Sequence, residues 1–183
     1  MIAAARNLVA RRQTEEARDP VMLALRAGIT PDAWQANLLR SAAQQMILLC
    51  SRQAGKSTVV ALLALHKALH KAASLVLLLS PSLRQSQELF RKVKDAYGAL
   101  EAGTVTAREE SALRMEFSNG SRIVALPGKE ETIRGFSGVA LLIVDEASRV
   151  DGRRRRLAAD ESYCRPVPAY LACVAGARTA RNP

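Results

Sequence analysis

The sequence predicts an α/β fold with a mostly parallel central sheet. Three short apolar runs, 44–50, 74–80 and 139–147, have the length and composition of buried strands. Two helical patterns, 56–72 and 82–100, follow the first and second of these runs. Strands that alternate with helices are typical of parallel sheets with helices packed on their faces, and this order therefore indicates an α/β class.

Four helical segments are predicted. Residues 3–28 carry apolar positions at helical spacing and end near Gly28. A second helix begins in "TPDAW", where Pro31 suits a first helical turn. Segment 56–72 is apolar around much of its circumference, which indicates a buried helix, whereas 82–100 is amphipathic.

A β-hairpin is predicted ahead of the third buried strand. Residues 112–127 form two alternating runs on either side of Asn119-Gly120. Asn-Gly between alternating runs is the strongest short-range signal of a hairpin. We therefore expect an inserted hairpin in an otherwise parallel sheet.

Composition limits the classes of function. The chain has 183 residues, of which 49% are hydrophobic, enough to bury the core of a domain. A net charge of +10 favours a polyanionic partner, with nucleic acid as the first candidate. The three cysteines form no paired framework, which favours a reducing cytosol. No apolar run approaches the roughly 18 residues that a membrane span requires.

The stretch "CSRQAGKST" (50–58) lies between a predicted strand and a predicted helix, the context of a phosphate-binding P-loop. Cys50 occupies the position of the usual first glycine. Gly55 allows close backbone approach, Lys56 can reach the β and γ phosphates, and the Ser57 hydroxyl can bind Mg²⁺. The predicted nucleotide-binding residues of this loop are Ser51, Arg52, Gln53, Ala54, Gly55, Lys56, Ser57 and Thr58.

The run "LLIVDE" supplies the second half of the predicted site. It brings Asp145 and Glu146 to the carboxyl end of a buried strand, where ligands bind in open α/β sheets. Asp145 is predicted to hold Mg²⁺, together with Ser57, and Glu146 to orient or deprotonate the attacking water. An adjacent acidic pair favours hydrolysis over transfer to a small substrate, because a water molecule needs a base.

A P-loop that reads S-R-Q-x-G-K-S-T resembles the ATPase domain of the large terminase subunit of tailed bacteriophages. "AWQANLLRS" (33–41), "LLLSPSLRQSQELF" (77–90) and "TIRGFSGVALLIVDEAS" (132–148) resemble further segments of that family. The resemblance runs from about Asp19 to Val150. It implies a three-layer P-loop NTPase that hydrolyses ATP with Mg²⁺ and drives double-stranded DNA into a procapsid.

The resemblance also implies roles for single residues. Arg52 would approach the γ-phosphate as an arginine supplied in cis, and its other interpretation is a surface or DNA contact. Gln35 would hydrogen-bond the adenine with Trp34 packed nearby, although Trp34 can equally anchor the core. Arg134 and Gly135 would sense nucleotide or contact DNA, or form a structural loop.

The family resemblance implies partners and a location as well. The intact family works with a portal ring, a small terminase subunit and further copies of itself, in the cytoplasm of the bacterial host. No membrane partner is expected.

The last 33 residues depart from this pattern. Segment 151–183 has 7 Lys and Arg against 3 Asp and Glu, including four consecutive arginines at 153–156, and no clear buried strand. It is either a basic arm for DNA phosphates or an out-of-frame or degenerate end, and the abrupt end of the α/β pattern favours the second. We therefore expect a fold that is incomplete at its C-terminus, with the nuclease domain of the family absent.

The sequence thus divides into an N-terminal helical segment (1–30), an ATPase domain (31–150) and a basic tail (151–183). Two other functions remain open at this point. One is a helicase-like ATPase that depends on nucleic acid, and the other is a fragment that binds nucleotide or DNA without turnover.

Overall fold

The computed structural model of the chain describes residues 14–15, 17–51, 53–100, 105–127, 136–147, 149 and 170–175. The helices with defined bounds are α1 (Pro20–Arg26), α2 (Ala33–Leu39), α3 (Lys56–His70) and α4 (Leu83–Gly98). The strands are β1 (Gln45–Cys50), β2 (Leu75–Ser80), β3 (Ala107–Glu110), β4 (Arg114–Phe117), β5 (Arg122–Pro127), β6 (Val139–Val144) and β7 (Tyr170–Ala175).

These strands form one sheet in the order β1-β7-β6-β2-β5-β4-β3. The first five strands in this order are parallel, and β4 and β3 continue the sheet in antiparallel pairs. The predicted α/β class with a mostly parallel sheet is therefore confirmed.

The helices begin where the sequence supplies caps. Asp19 Oδ1 accepts a hydrogen bond from the Val21 N–H at 3.0 Å, with Pro20 as the first residue of α1. The Ser82 hydroxyl accepts from the Gln85 N–H at 3.3 Å at the start of α4. A side-chain oxygen at this position satisfies an N–H that has no partner within the helix.

The predicted hairpin is confirmed as β4 and β5. Gly120 has φ +77° in the connecting turn, a conformation that glycine adopts without steric cost. Asn119 Nδ2 donates to the Ala68 carbonyl at 2.8 Å and thereby joins the turn to the last part of α3. Strand β3 was not predicted, because its sequence "AREE" carries no apolar alternation.

The sheet buries side chains on both faces, in two clusters. The larger cluster contains residues of all four helices together with alternate residues of β2 and β6 such as Leu78 and Ile143. The second cluster, on the opposite face, contains Leu77, Leu142 and Val144. Because both faces of β2 and β6 are buried, these strands are apolar at every position, as the sequence patterns indicate.

The expectation that no strand follows residue 150 is wrong. Strand β7 lies between β1 and β6 and is parallel to both. Its sequence "YLACVA" includes small residues and lies in a segment rich in arginine and proline, so it gave no distinct strand signal. The sheet therefore contains a strand that the sequence was expected to lack, whereas the proposed three-part division of the chain remains a prediction.

β1 was predicted to be a buried strand, and this is also wrong. It lies at the edge of the sheet, and its residues alternate in burial, with Ile47 and Leu49 exposed at 74% and 73%. An apolar run alone does not distinguish a central strand from an edge strand, because both can have the same composition.

We expect that Leu171→Ala destabilises the chain by about 2–5 kcal/mol, because removing a buried leucine leaves a cavity. Leu171 is 0% exposed and belongs to the larger core cluster. Urea unfolding of this variant and of Leu83→Ala, at an exposed position, measures the difference. Equal stability of the two variants would contradict the packing of β7 between β1 and β6.

Among the described residues, no helix combines the length and the apolar character that crossing a membrane requires.

Candidate functional site

Two chemically distinctive segments meet at the carboxyl end of the sheet. β1 leads into the loop 50–58, and β6 leads into Asp145 and Glu146. Both strands flank β7 and are parallel to it, so the two segments emerge at the same edge. Two strand spacings separate them, which is about 10 Å between the strand axes. This distance suits a ligand that contacts the loop and the acidic pair together.

Two residues of the loop have a left-handed backbone conformation. Gly55 is the N-cap of α3 with φ +78°, and Gln53 has φ +61°. A Cβ added at Gly55 would lie 2.5 Å from Gln35 Nε2. Both the dihedral angle and the close contact therefore favour glycine at this position. Cys50 ends β1 without a positive φ, so it tolerates a side chain where other loops carry glycine.

Lys56 folds back over the loop. Its Nζ donates to the Ser51 carbonyl at 2.8 Å and to the Cys50 carbonyl at 3.2 Å. These two bonds hold the ammonium at the mouth of the loop. A phosphate group that enters the loop would compete with the two carbonyls for the same donor.

Gln35 links α2 to the loop. Its Nε2 donates to the Ala54 carbonyl at 3.3 Å, and its Oε1 accepts from the Asp32 N–H at 3.0 Å. This amide therefore supports the loop directly, a role that the sequence did not indicate. Trp34 precedes Gln35 in α2, is half-buried and packs against the larger core cluster, which supports its role as an anchor.

Ser57 and Thr58 lie in the first turn of α3, directly after Lys56. The Thr58 N–H donates to the Gly55 carbonyl at 3.1 Å. The Thr58 hydroxyl accepts a hydrogen bond from Lys92 Nζ of α4 at 3.4 Å. Lys92 was missed in the sequence, because a lysine in an amphipathic helix gives no sign that it faces another helix.

Asp145 is fixed where β6 ends. Its N–H donates to the Leu79 carbonyl at 2.8 Å, and its Oδ1 accepts from the Glu146 N–H at 3.0 Å. Burial raises the pKa of the Asp145 carboxyl, and the bond from the Glu146 N–H opposes that shift. The charges of Lys56 and Lys92 also lower this pKa, so both ammonium groups lie near the carboxylate.

Glu146 has φ +47°, an uncommon conformation for a residue with a side chain. Its Oε2 lies 3.3 Å from Arg149 Nη1 and makes no hydrogen bond in the part of the chain that the structure describes. Non-glycine residues in this region of φ cluster at functional sites. Glu146 therefore places a half-buried carboxylate directly after Asp145, with its Oε2 in an ion pair with Arg149.

Oxygen donors at this edge fit a magnesium ion. The Ser57 hydroxyl and the Asp145 carboxylate are hard ligands, and Mg²⁺ is held by one or two carboxylates together with substrate phosphates and water. The described residues contain no group of three or more histidine, cysteine, aspartate or glutamate side chains that could hold a metal on their own. Ser57 and Asp145 would hold such an ion only together with substrate phosphates and water.

Several predicted residues lie outside the described part of the chain. These are Arg52 within the loop, Arg134 and Gly135 before β6, and all of the predicted tail 151–183 except residues 170–175. A cleft of about 390 Å³ lies at the opposite end of β2, and its lining includes Ser74, Arg108 and Arg122. This cleft is remote from the loop and the acidic pair.

The family model described as "Terminase large subunit, T4likevirus-type, N-terminal" matches residues 47–161. The match includes both the loop and the acidic pair and extends over more than half of the chain. The chain belongs to this large terminase family. The resemblance that the P-loop and its flanking segments indicated is thereby confirmed.

Solved structures show the same fold. The large terminase ATPase domain of Thermus phage P74-26, as an arginine-to-alanine variant, is 16% identical, with a TM-score of 0.64, and the match covers 84% of this chain and 68% of that domain. The large terminase of bacteriophage HK97 is also 16% identical, with a TM-score of 0.66, over 81% of this chain and 34% of that protein.

A third large terminase, from a thermophilic bacteriophage, is 14% identical with a TM-score of 0.62. That match covers 77% of this chain and 38% of the other, so this chain corresponds to little more than a third of that terminase. No curated protein matches the chain. The large terminase fold predicted from the sequence, a P-loop NTPase with a mostly parallel sheet, is confirmed by these neighbours.

Proposed function

We propose that this chain is the ATP-hydrolysing motor domain of a large terminase subunit and powers the packaging of double-stranded DNA into a procapsid. One observation carries the proposal: the loop that ends in Gly55, Lys56 and Ser57 lies at the same sheet edge as Asp145 and Glu146. Hydrolysis of a nucleotide requires the loop to bind its phosphates and the acidic pair to activate water at the same site.

The loop residues support a nucleoside triphosphate as the substrate. Backbone N–H groups at the start of α3 favour an anion, because they have no partner within the helix and lie at its positive end. Lys56 would exchange its bonds with the Cys50 and Ser51 carbonyls for bonds to phosphate oxygens. Trp34 and Gln35 would contact the adenine, and the second N–H of the Gln35 amide remains for that purpose.

The acidic pair supports hydrolysis. Asp145 and Ser57 would hold Mg²⁺, which when bound offsets charge on the phosphates. Glu146 would orient the attacking water and accept its proton. Arg52 would stabilise the charge that develops on the transferred phosphoryl group.

The proposed partner is duplex DNA. A net charge of +10 favours contact with a polyanion, and the large terminase family provides the reason to choose duplex DNA over other polyanions. A portal ring, a small terminase subunit and further copies of the chain belong to the same proposal, with the host cytoplasm as its location.

The test is Mg²⁺-dependent ATP turnover of the purified chain without DNA, with duplex DNA and with single strands. We expect turnover that duplex DNA stimulates more than single strands do. Stronger stimulation by single strands would favour a helicase-like ATPase. If the chain binds ATP but hydrolyses it under none of the three conditions, the proposal is rejected and the chain is a nucleotide-binding fragment.

A further inference from the structure

Lys92 reaches the nucleotide loop from a different helix. It lies in α4, which packs closely against α3, and its Nζ donates to Thr58 Oγ1 at 3.4 Å. Neighbouring basic residues of α4 pair elsewhere, Arg91 with Glu88 and Lys94 with Glu110. Lys92, by contrast, has no ion pair within the described residues, although it is half-buried. A half-buried ammonium that is directed at one hydroxyl calls for an explanation.

The chemistry of the two groups fixes the direction of their hydrogen bond. An ammonium can only donate, so Thr58 Oγ1 is the acceptor. The hydrogen of the Thr58 hydroxyl therefore points away from Lys92 and is available to another acceptor. A hydroxyl that accepts from a cation is also a stronger donor, because hydrogen bonds in a chain polarise one another.

Thr58 stands where that donor would meet a phosphate. It lies two residues after Lys56, in the first turn of α3, and its N–H bonds to Gly55 at the base of the loop. Lys92 also lies close enough to Asp145 for its charge to lower the pKa of that carboxyl.

We propose that Lys92 is a positioning residue that holds the Thr58 hydroxyl as a donor to a phosphate oxygen of the bound nucleotide. This inference rests on the proposed function, because it requires that a nucleotide occupy the loop. It adds a residue from α4 to a site that otherwise consists of the loop, α2 and the end of β6.

A double-mutant cycle on the full chain tests the inference, with the affinity for a fluorescent ATP analogue in the presence of Mg²⁺ as the measurement. We expect Lys92→Met and Thr58→Val each to weaken binding by about tenfold, the value of one hydrogen bond to a charged group. The double variant should bind no more weakly than Thr58→Val alone, because Lys92 acts through Thr58.

Lys94→Met is the matched control, since it makes the same change on the same helix at a residue paired with Glu110. It should leave the affinity unchanged. Lys92→Arg keeps a cation that donates to Thr58 and should recover most of the binding. Melting temperatures without nucleotide identify any loss that reflects folding alone.

Additive losses in the double variant would overturn the inference, since Lys92 would then act independently of Thr58. Unchanged affinity of Lys92→Met, beside a wild-type chain that binds the analogue, would also overturn it while leaving the proposed function intact. A wild-type chain that does not bind the analogue would overturn both.

Discussion

Glu146→Gln is expected to lower the rate of ATP hydrolysis by about 100- to 10,000-fold, the usual contribution of a general base. The substitution keeps the size of the side chain and removes its ability to take a proton from water. ATP binding should persist, because the loop and Lys56 are unchanged. Single-turnover hydrolysis and equilibrium binding of ATP, measured on the same preparation, separate the two effects.

The control for this variant removes the same ion pair from its other side. Glu146 Oε2 lies 3.3 Å from Arg149 Nη1, so Glu146→Gln also breaks this contact. Arg149→Gln breaks it as well but leaves the carboxylate in place, and its turnover should stay close to that of the wild type. An equal loss of turnover in both variants would mean that the ion pair, and not the base, is essential.

The positions of the loop and of the acidic pair at one edge of the sheet could be predicted from the sequence. The order of apolar strands placed the loop after β1 and the acidic pair after β6, and parallel strands bring both to one edge. The position of Gly55 directly before α3 also followed, because the last glycine of a P-loop precedes its helix. These features depend on local sequence and on the period of the hydrophobic pattern.

Features that depend on packing between distant segments could not be predicted. The bond from Lys92 to Thr58 joins two helices and has no local pattern. The bond from Gln35 to Ala54 likewise arises only when α2 docks on the loop. Strand β7 was missed because its own sequence carries a weak strand signal. Its strand conformation depends mainly on pairing with β1 and β6, which the sequence does not show.

Gly55→Ala is expected to weaken ATP binding by at least about tenfold, because the left-handed conformation costs a residue with a Cβ roughly 1–2 kcal/mol and the new methyl group disturbs the loop. With φ +78°, the added Cβ would lie 2.5 Å from Gln35 Nε2. The end of the flexible Gln35 side chain can shift to make room, which would weaken its 3.3 Å bond to the Ala54 carbonyl. The main cost is therefore the left-handed backbone at position 55, with weaker support from α2 as a smaller effect.

Gly28→Ala separates the effect of backbone strain from the effect of the close contact with Gln35. Gly28 has φ +72°, close to that of Gly55, but an added Cβ would meet no atom within 4 Å. Gly28→Ala should therefore lower the melting temperature through backbone strain while the affinity for ATP stays unchanged. Adding Gln35→Ala to Gly55→Ala removes the steric conflict, and comparison of this double variant with Gln35→Ala alone isolates the strain at the loop. If Gly55→Ala lost only as much stability as Gly28→Ala and bound ATP normally, the loop would not be the phosphate site.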